Sequence, residues 1–156
     1  MSDFYVKICT SGHVLVDSSP LLGAEFCENC GSKMLSSCPS CGSTIDEFDF
    51  GGVCFLGVPD YTRPSYCKHC GKPYPWTSAA LESTSLMLQE DSELSELDRQ
   101  KLEESLPDLI SETPKTQLAV IRAKKALISA SQFTADALRQ FIIDFGCELV
   151  KSSLGF

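Results

Sequence analysis

The sequence is poor in the groups on which most enzyme chemistry rests. Its 156 residues hold two histidines, His13 and His69, and one tryptophan, Trp76. No phosphate-cradling loop, Gly-rich dinucleotide turn or nucleophile elbow occurs in it. Both histidines lie in cysteine-bearing turns, so no free imidazole is left as a general base. No enzymatic activity is expected.

Positive charge is scarce too. Thirteen Lys and Arg face 21 Asp and Glu, a net charge of −8. The deficit is shared, −3 over residues 1–80 and −5 over 81–156. Neither half carries the basic footprint of a phosphate-backbone binder, so nucleic acid is not an expected partner. Long hydrophobic runs are missing as well: no stretch approaches the ~20 apolar residues of a membrane span. Met1 to Cys9 has no apolar core of a signal peptide. These absences predict a cytoplasmic protein with no membrane contact, in a compartment that keeps thiols reduced.

What the sequence has in excess is cysteine, nine in all, an odd total that fits poorly with a complete disulfide framework. Eight of the nine precede residue 77, with eight of the ten glycines and six of the eight prolines. Four short units hold seven of these cysteines: Cys9-Thr-Ser-Gly-His13, Cys27-Glu-Asn-Cys30-Gly31, Cys38-Pro-Ser-Cys41-Gly42 and Cys67-Lys-His-Cys70-Gly71. Two cysteines separated by two residues and followed by glycine make a tight turn that aims both sulfurs at one ion. The glycine permits the positive φ this turn needs. Buried apolar cysteines have no reason to repeat with the glycine.

Each turn offers two ligands, so four turns fill two tetrahedral sites, and zinc is the expected metal, two ions per chain. Iron is the alternative that thiolate tetrahedra also suit. Three pairing schemes exist. Only seven residues separate Cys30 from Cys38, leaving little room for a hairpin between them. Sequential pairing groups Cys9, His13, Cys27 and Cys30 in one site and Cys38, Cys41, Cys67 and Cys70 in the other; interleaved pairing stays open. His13 is read as a ligand because it stands opposite an otherwise lone Cys9. His69 should point outward from its turn. Cys54, alternating with Val53 and Phe55, reads as packing.

The runs Phe26-Cys27-Glu-Asn-Cys30-Gly31, Ser37-Cys38-Pro-Ser-Cys41-Gly42 and Tyr66-Cys67-Lys-His-Cys70-Gly71-Lys-Pro-Tyr-Pro-Trp76 resemble an uncharacterised bacterial family of zinc-ribbon proteins. Its N-terminal Cys-x-x-Gly-His unit is matched by Cys9 to His13, and its helical segment opening Thr-Pro-x-Thr by Thr113 to Thr116. The resemblance implies sequential pairing and a shared architecture. It implies no activity.

The expected fold class is α+β: a β-rich tandem zinc-ribbon module over residues 1–77, then a helical region over 78–156. Phe4 to Cys9 and His13 to Val16 should form a hairpin, and Ile45 to Phe50 with Val53 to Val58 a second one around Gly51-Gly52. Helices are expected over Ala79 to Gln89 behind a Thr77 or Ser78 cap, and from the Ser95–Asp98 capping box toward Ser105. Pro107 should open a short turn. Thr113-Pro114 should start a helix reaching about Ala130, and a last helix should run from about Thr134 to Ser153.

That last helix carries two apolar stripes, Leu138, Phe141, Ile142, Phe145, Leu149 and Ile143, Cys147, Val150, Leu154. A helix apolar on two sides is buried on two sides. Packing against Leu118, Ile121, Leu127 and Ile128 covers one; self-association through the C-terminal helices is expected to cover the other. Residues 90–112 carry −7 and residues 115–125 carry +4, so the basic helix can also dock on the acidic segment of another subunit or partner. The expected function is a non-catalytic zinc-binding adaptor or scaffold with a further protein partner not identified by the sequence. The alternative is a nucleic-acid-associated regulatory ribbon stacking bases on Tyr61, Tyr66, Tyr74 and Trp76.

Overall fold

The first β-rich run becomes the axis of the sheet. In the computed structural model, which describes residues 3–17, 25–45, 47–49 and 61–156, strand β1 (Asp3–Cys9) buries Val6 and Ile8. Strand β2 (Val14–Asp17) returns beside it after the turn Thr10-Ser11-Gly12, pairing Ile8 with Val14 and Tyr5 with Asp17. Strands β3 (Met34–Leu35) and β4 (Glu47–Asp49) share the other edge of β1. There Cys9 lies opposite Met34, and Tyr5 opposite Glu47. All pairings are antiparallel. The expected second arm, Val53 to Val58, lies outside the described residues, as does Cys54.

The chain is α+β: this sheet is followed by five helices among the described residues. It divides into two compact units, Met1–Ser78 and Ala79–Phe156. Helix α1 (Pro75–Glu90) starts earlier than its expected cap, because Pro75 takes the opening position that its missing N–H suits. The next two side chains are locked in place. Trp76 Nε1 donates to the Pro64 carbonyl at 2.9 Å, and Thr77 Oγ1 donates to the Ser65 carbonyl at 2.7 Å.

Helix α2 (Glu96–Ile110) begins as read, with Ser95 Oγ accepting from the Asp98 N–H at 3.1 Å. It does not stop near Ser105. Pro107 sits inside it, and the helix continues because Leu109 and Ile110 beyond it are buried, like Leu106 before it. Helix α3 (Thr116–Ser129) starts two residues past Pro114, where Thr113 Oγ1 accepts from the Lys115 N–H.

The expected single last helix is two. Helix α4 (Gln132–Phe145) ends at Gly146, and α5 (Glu148–Leu154) starts after Cys147, both linking residues being extended. The Cys147 N–H donates to the Leu109 carbonyl at 3.0 Å and holds the break against α2. The second stripe is therefore no continuous face. Val150 turns into the unit's own core at 0% exposure, while Ile143 on α4 faces outward at 42%.

Helix α3 is the other departure. Its inward face is Thr116, Ala119, Val120, Ala123 and Ala126, mostly small side chains, and α3 packs most extensively on α2. Leu118, Ile121 and Ile128, expected to pack inside, are 45%, 60% and 85% exposed. At about 100° per residue these positions fall on the side of the helix opposite the alanines.

Candidate metal centres

Three of the four turns share one backbone construction. In each, the glycine N–H donates to the carbonyl of the first cysteine: Gly31 to Cys27 at 2.7 Å, and Gly42 to Cys38 and Gly71 to Cys67 at 2.8 Å. These glycines have φ of 73°, 77° and 72°, the left-handed region that a Cβ disfavours. Isolated antiparallel bridges close each turn, Phe26 with Lys33, Ser37 with Thr44 and Tyr66 with Pro73. In all three the first cysteine is buried and the second is exposed.

The fourth turn is built differently. The Cys9 N–H donates to the His13 carbonyl at 3.0 Å, and the His13 N–H reaches Cys9 Sγ at 3.2 Å. Arg63 Nη1 donates to the Gly12 carbonyl at 2.6 Å and holds the turn from outside the motif.

These turns bring eight side chains into two groups, and the grouping is the sequential one. Cys9, His13, Cys27 and Cys30 form the first; Cys38, Cys41, Cys67 and Cys70 form the second. Within each group the four ligand atoms lie within 4.8 Å of one another. Cys9 Sγ is 3.7 Å from Cys30 Sγ, and His13 Nδ1 is 3.4 Å from Cys9 Sγ and 3.6 Å from Cys27 Sγ. In the second group Cys38 and Cys70 are 3.8 Å apart and Cys41 and Cys67 3.7 Å. A tetrahedron with metal–sulfur bonds of about 2.3 Å has edges of about 3.8 Å, so both donor sets fit one metal ion each. It is Nδ1 of His13, not Nε2, that joins the sulfurs.

The local electrostatics favour anionic sulfur at several positions. The Ser32 hydroxyl and N–H bring Cys30 down to about 5, and Ser43 lowers Cys41 in the same way. The N–H groups of Cys70 and His69 bring Cys67 down to about 6. Burial pushes Cys9 up. At Cys70 the Lys72 N–H favours the thiolate, but lost hydration and the neighbouring Cys67, Cys38 and Cys41 sulfurs outweigh it and push the group up to about 11. Four crowded thiols do not all ionise without a cation among them.

His69 is exposed and Cys147 is half-buried in the helical unit, and neither belongs to either group. Motif reading missed Arg63, which no spacing signals. It also missed Ser32 and Ser43, although a Cys-Gly-Ser run after two of the outer cysteines was there to be read.

A family model described as "Uncharacterized protein conserved in bacteria (DUF2321)" matches residues 3–154. The chain belongs to that family. The match spans both cysteine groups and all five helices, so this family member carries its candidate metal centres and its helical unit within one family unit. Nothing matches it among the curated proteins or among the solved structures. No helix among its described residues is long and apolar enough to cross a membrane.

Proposed function

We propose that this chain is a non-catalytic zinc-binding adaptor, in which two zinc ions fold the cysteine-rich unit and the helical unit docks protein. The observation that carries the reading is the pair of complete four-ligand groups. Three thiolates with an imidazole, and four thiolates, are donor sets that suit zinc. Four protein ligands leave no open position at which a metal-bound water or substrate could react.

The first unit has few large buried apolar side chains besides Val6, Ile8, Ile45, Tyr74 and Trp76 among its described residues. Metal cross-links supply what such a core lacks, roughly 10–16 kcal/mol per structural zinc in small domains. A protein-docking role for the helical unit is supported by the apolar side chains it leaves outside, Leu118, Ile121, Ile128 and Phe133. The acidic balance of the chain argues for a protein partner over nucleic acid.

Metal removal tests the reading. Treating the purified protein with a strong chelator should abolish the order of the two cysteine groups and of β1, seen as collapse of their amide resonances, and added zinc should restore it. Resonances that stay dispersed without metal would contradict a folding role for zinc.

A further inference from the structure

Two surfaces of the helical unit are complementary to each other and lie on different helices. One is a groove of about 590 Å³ between the outer face of α1 and the start of α4. Leu86, Met87 and Phe133 make its apolar lining, and Glu82 and Glu90 make it acidic. Leu86 and Phe133 are 53% and 74% exposed, apolar side chains left at the surface of one groove. Asp91, also in the groove, is committed to Ser131 and to its own loop.

The other surface is the outward ridge of α3. Leu118, Ile121, Lys125 and Ile128 recur at i, i+3, i+7 and i+10, the spacing of a coiled-coil seam with a lysine at one core position. Lys124 stands beside it and is exposed; Lys125 keeps 69% of its side chain exposed beside Asp98. The ridge is apolar and basic where the groove is apolar and acidic.

We infer that the α3 ridge of one copy of this chain docks in the α1–α4 groove of a second copy. The inference rests on the protein-docking reading above and names its partner. Ridge against ridge would oppose Lys124 and Lys125 to themselves, and groove against groove would oppose Glu82 and Glu90. Only the crossed pairing buries both apolar surfaces while matching their charges. Such a contact joins unlike patches. It closes into a two-fold pair when both ridges find both grooves, and into a larger ring or chain otherwise.

Light scattering coupled to size exclusion, on the full zinc-loaded chain at tens of micromolar, tests the pairing. Wild type should run above monomer mass, and 1 M NaCl should weaken the assembly. Phe133→Glu or Leu86→Glu in the groove, and Ile121→Glu with Ile128→Glu on the ridge, should each weaken association by about tenfold or more, the effect of losing a buried apolar anchor. All four positions are exposed in the single chain, and an unchanged helical spectrum checks that the variants fold. A groove variant mixed with the ridge variant should regain a complex, since one supplies the ridge and the other the groove. A monomeric wild type, an assembly that survives both sets of variants, or a mixture that stays monomeric would each overturn the pairing. Zinc measured on the same fractions keeps the readings apart: assembly with less than one zinc per chain contradicts the metal reading and leaves the docking intact.

Discussion

Cys9 and Cys30 lie with their sulfurs 3.7 Å apart across 21 residues of chain. One comes from the end of a strand and the other from the outer side of a turn, and His13 and Cys27 complete the group. No ligand is shared with the second group, so the two sites should lose metal independently. Cys30→Ser should remove one equivalent and Cys67→Ser the other, each leaving about one zinc per chain by elemental analysis. A single substitution that empties both sites would show that they form cooperatively.

The imidazole contact is specific enough to test by itself. With Nδ1 among the sulfurs, the neutral ring must carry its proton on Nε2. Long-range proton–nitrogen correlation spectra should place the metal-bound nitrogen of His13 at Nδ1. A protonated Nδ1 with the metal at Nε2 contradicts the geometry.

Gly12 has φ of 98°, and a Cβ there would run into Arg63 Nη1 and come within 3.1 Å of the Trp76 Cβ. Gly12→Ala should destabilise the cysteine-rich unit by about 1–3 kcal/mol through backbone strain and loss of the Arg63 contact. Chemical denaturation followed by Trp76 fluorescence measures it. Gly31→Ala meets no neighbour within 4 Å and suffers only the strain of its φ, so it should cost less.

What the sequence made readable was what short-range geometry controls. A cysteine pair with its glycine encodes its own turn, so the three Cys-x-x-Cys-Gly turns were readable from spacing, and the Cys9–His13 unit from its likeness to them. The Ser95 cap was readable for the same reason. Long-range packing overrode local signals elsewhere. Pro107 is a strong stop, yet the buried Leu106, Leu109 and Ile110 carry α2 past it. Gly146 breaks a helix whose periodicity runs on smoothly, and past the break Val150 is buried in the core. The inversion of α3 was hidden most deeply. Hydrophobicity ranks Leu118, Ile121 and Ile128 as core, but packing on α2 selects the alanines instead.

Pro107 therefore offers a gain. It is exposed, and its ring removes a helical hydrogen bond to Glu103. Pro107→Ala should stabilise the helical unit by about 1–2 kcal/mol, after allowing for the freer unfolded chain. Thermal unfolding of the zinc-loaded protein is the check, and a lower midpoint would contradict the account of α2.

Asp91 ties the α1–α2 loop to the start of α4. Its Oδ2 accepts from the Ser131 N–H at 3.1 Å and hydroxyl at 2.6 Å, and its Oδ1 from the N–H groups of Glu93 and Leu94. Burial alone would raise its pKa, but these donors, with Thr134, hold the carboxyl well below the usual carboxylate range. A depressed carboxylate contributes stability that is fully present above its unfolded value, about 4, and is lost as pH falls below that. Stability of the helical unit should stay level for this group from pH 7 to about 4 and then decline. Asp91→Ala should cost about 2–3 kcal/mol at neutral pH and flatten the acid limb, as measured by urea unfolding at several pH values.

Both cysteine groups should hold zinc in the native protein, and the proposed role depends on it. Elemental analysis of the purified full chain, with protein concentration fixed by amino-acid analysis, tests it most directly. Two zinc ions per chain and no iron are expected. Less than one zinc per folded chain, or stoichiometric iron in its place, would contradict it.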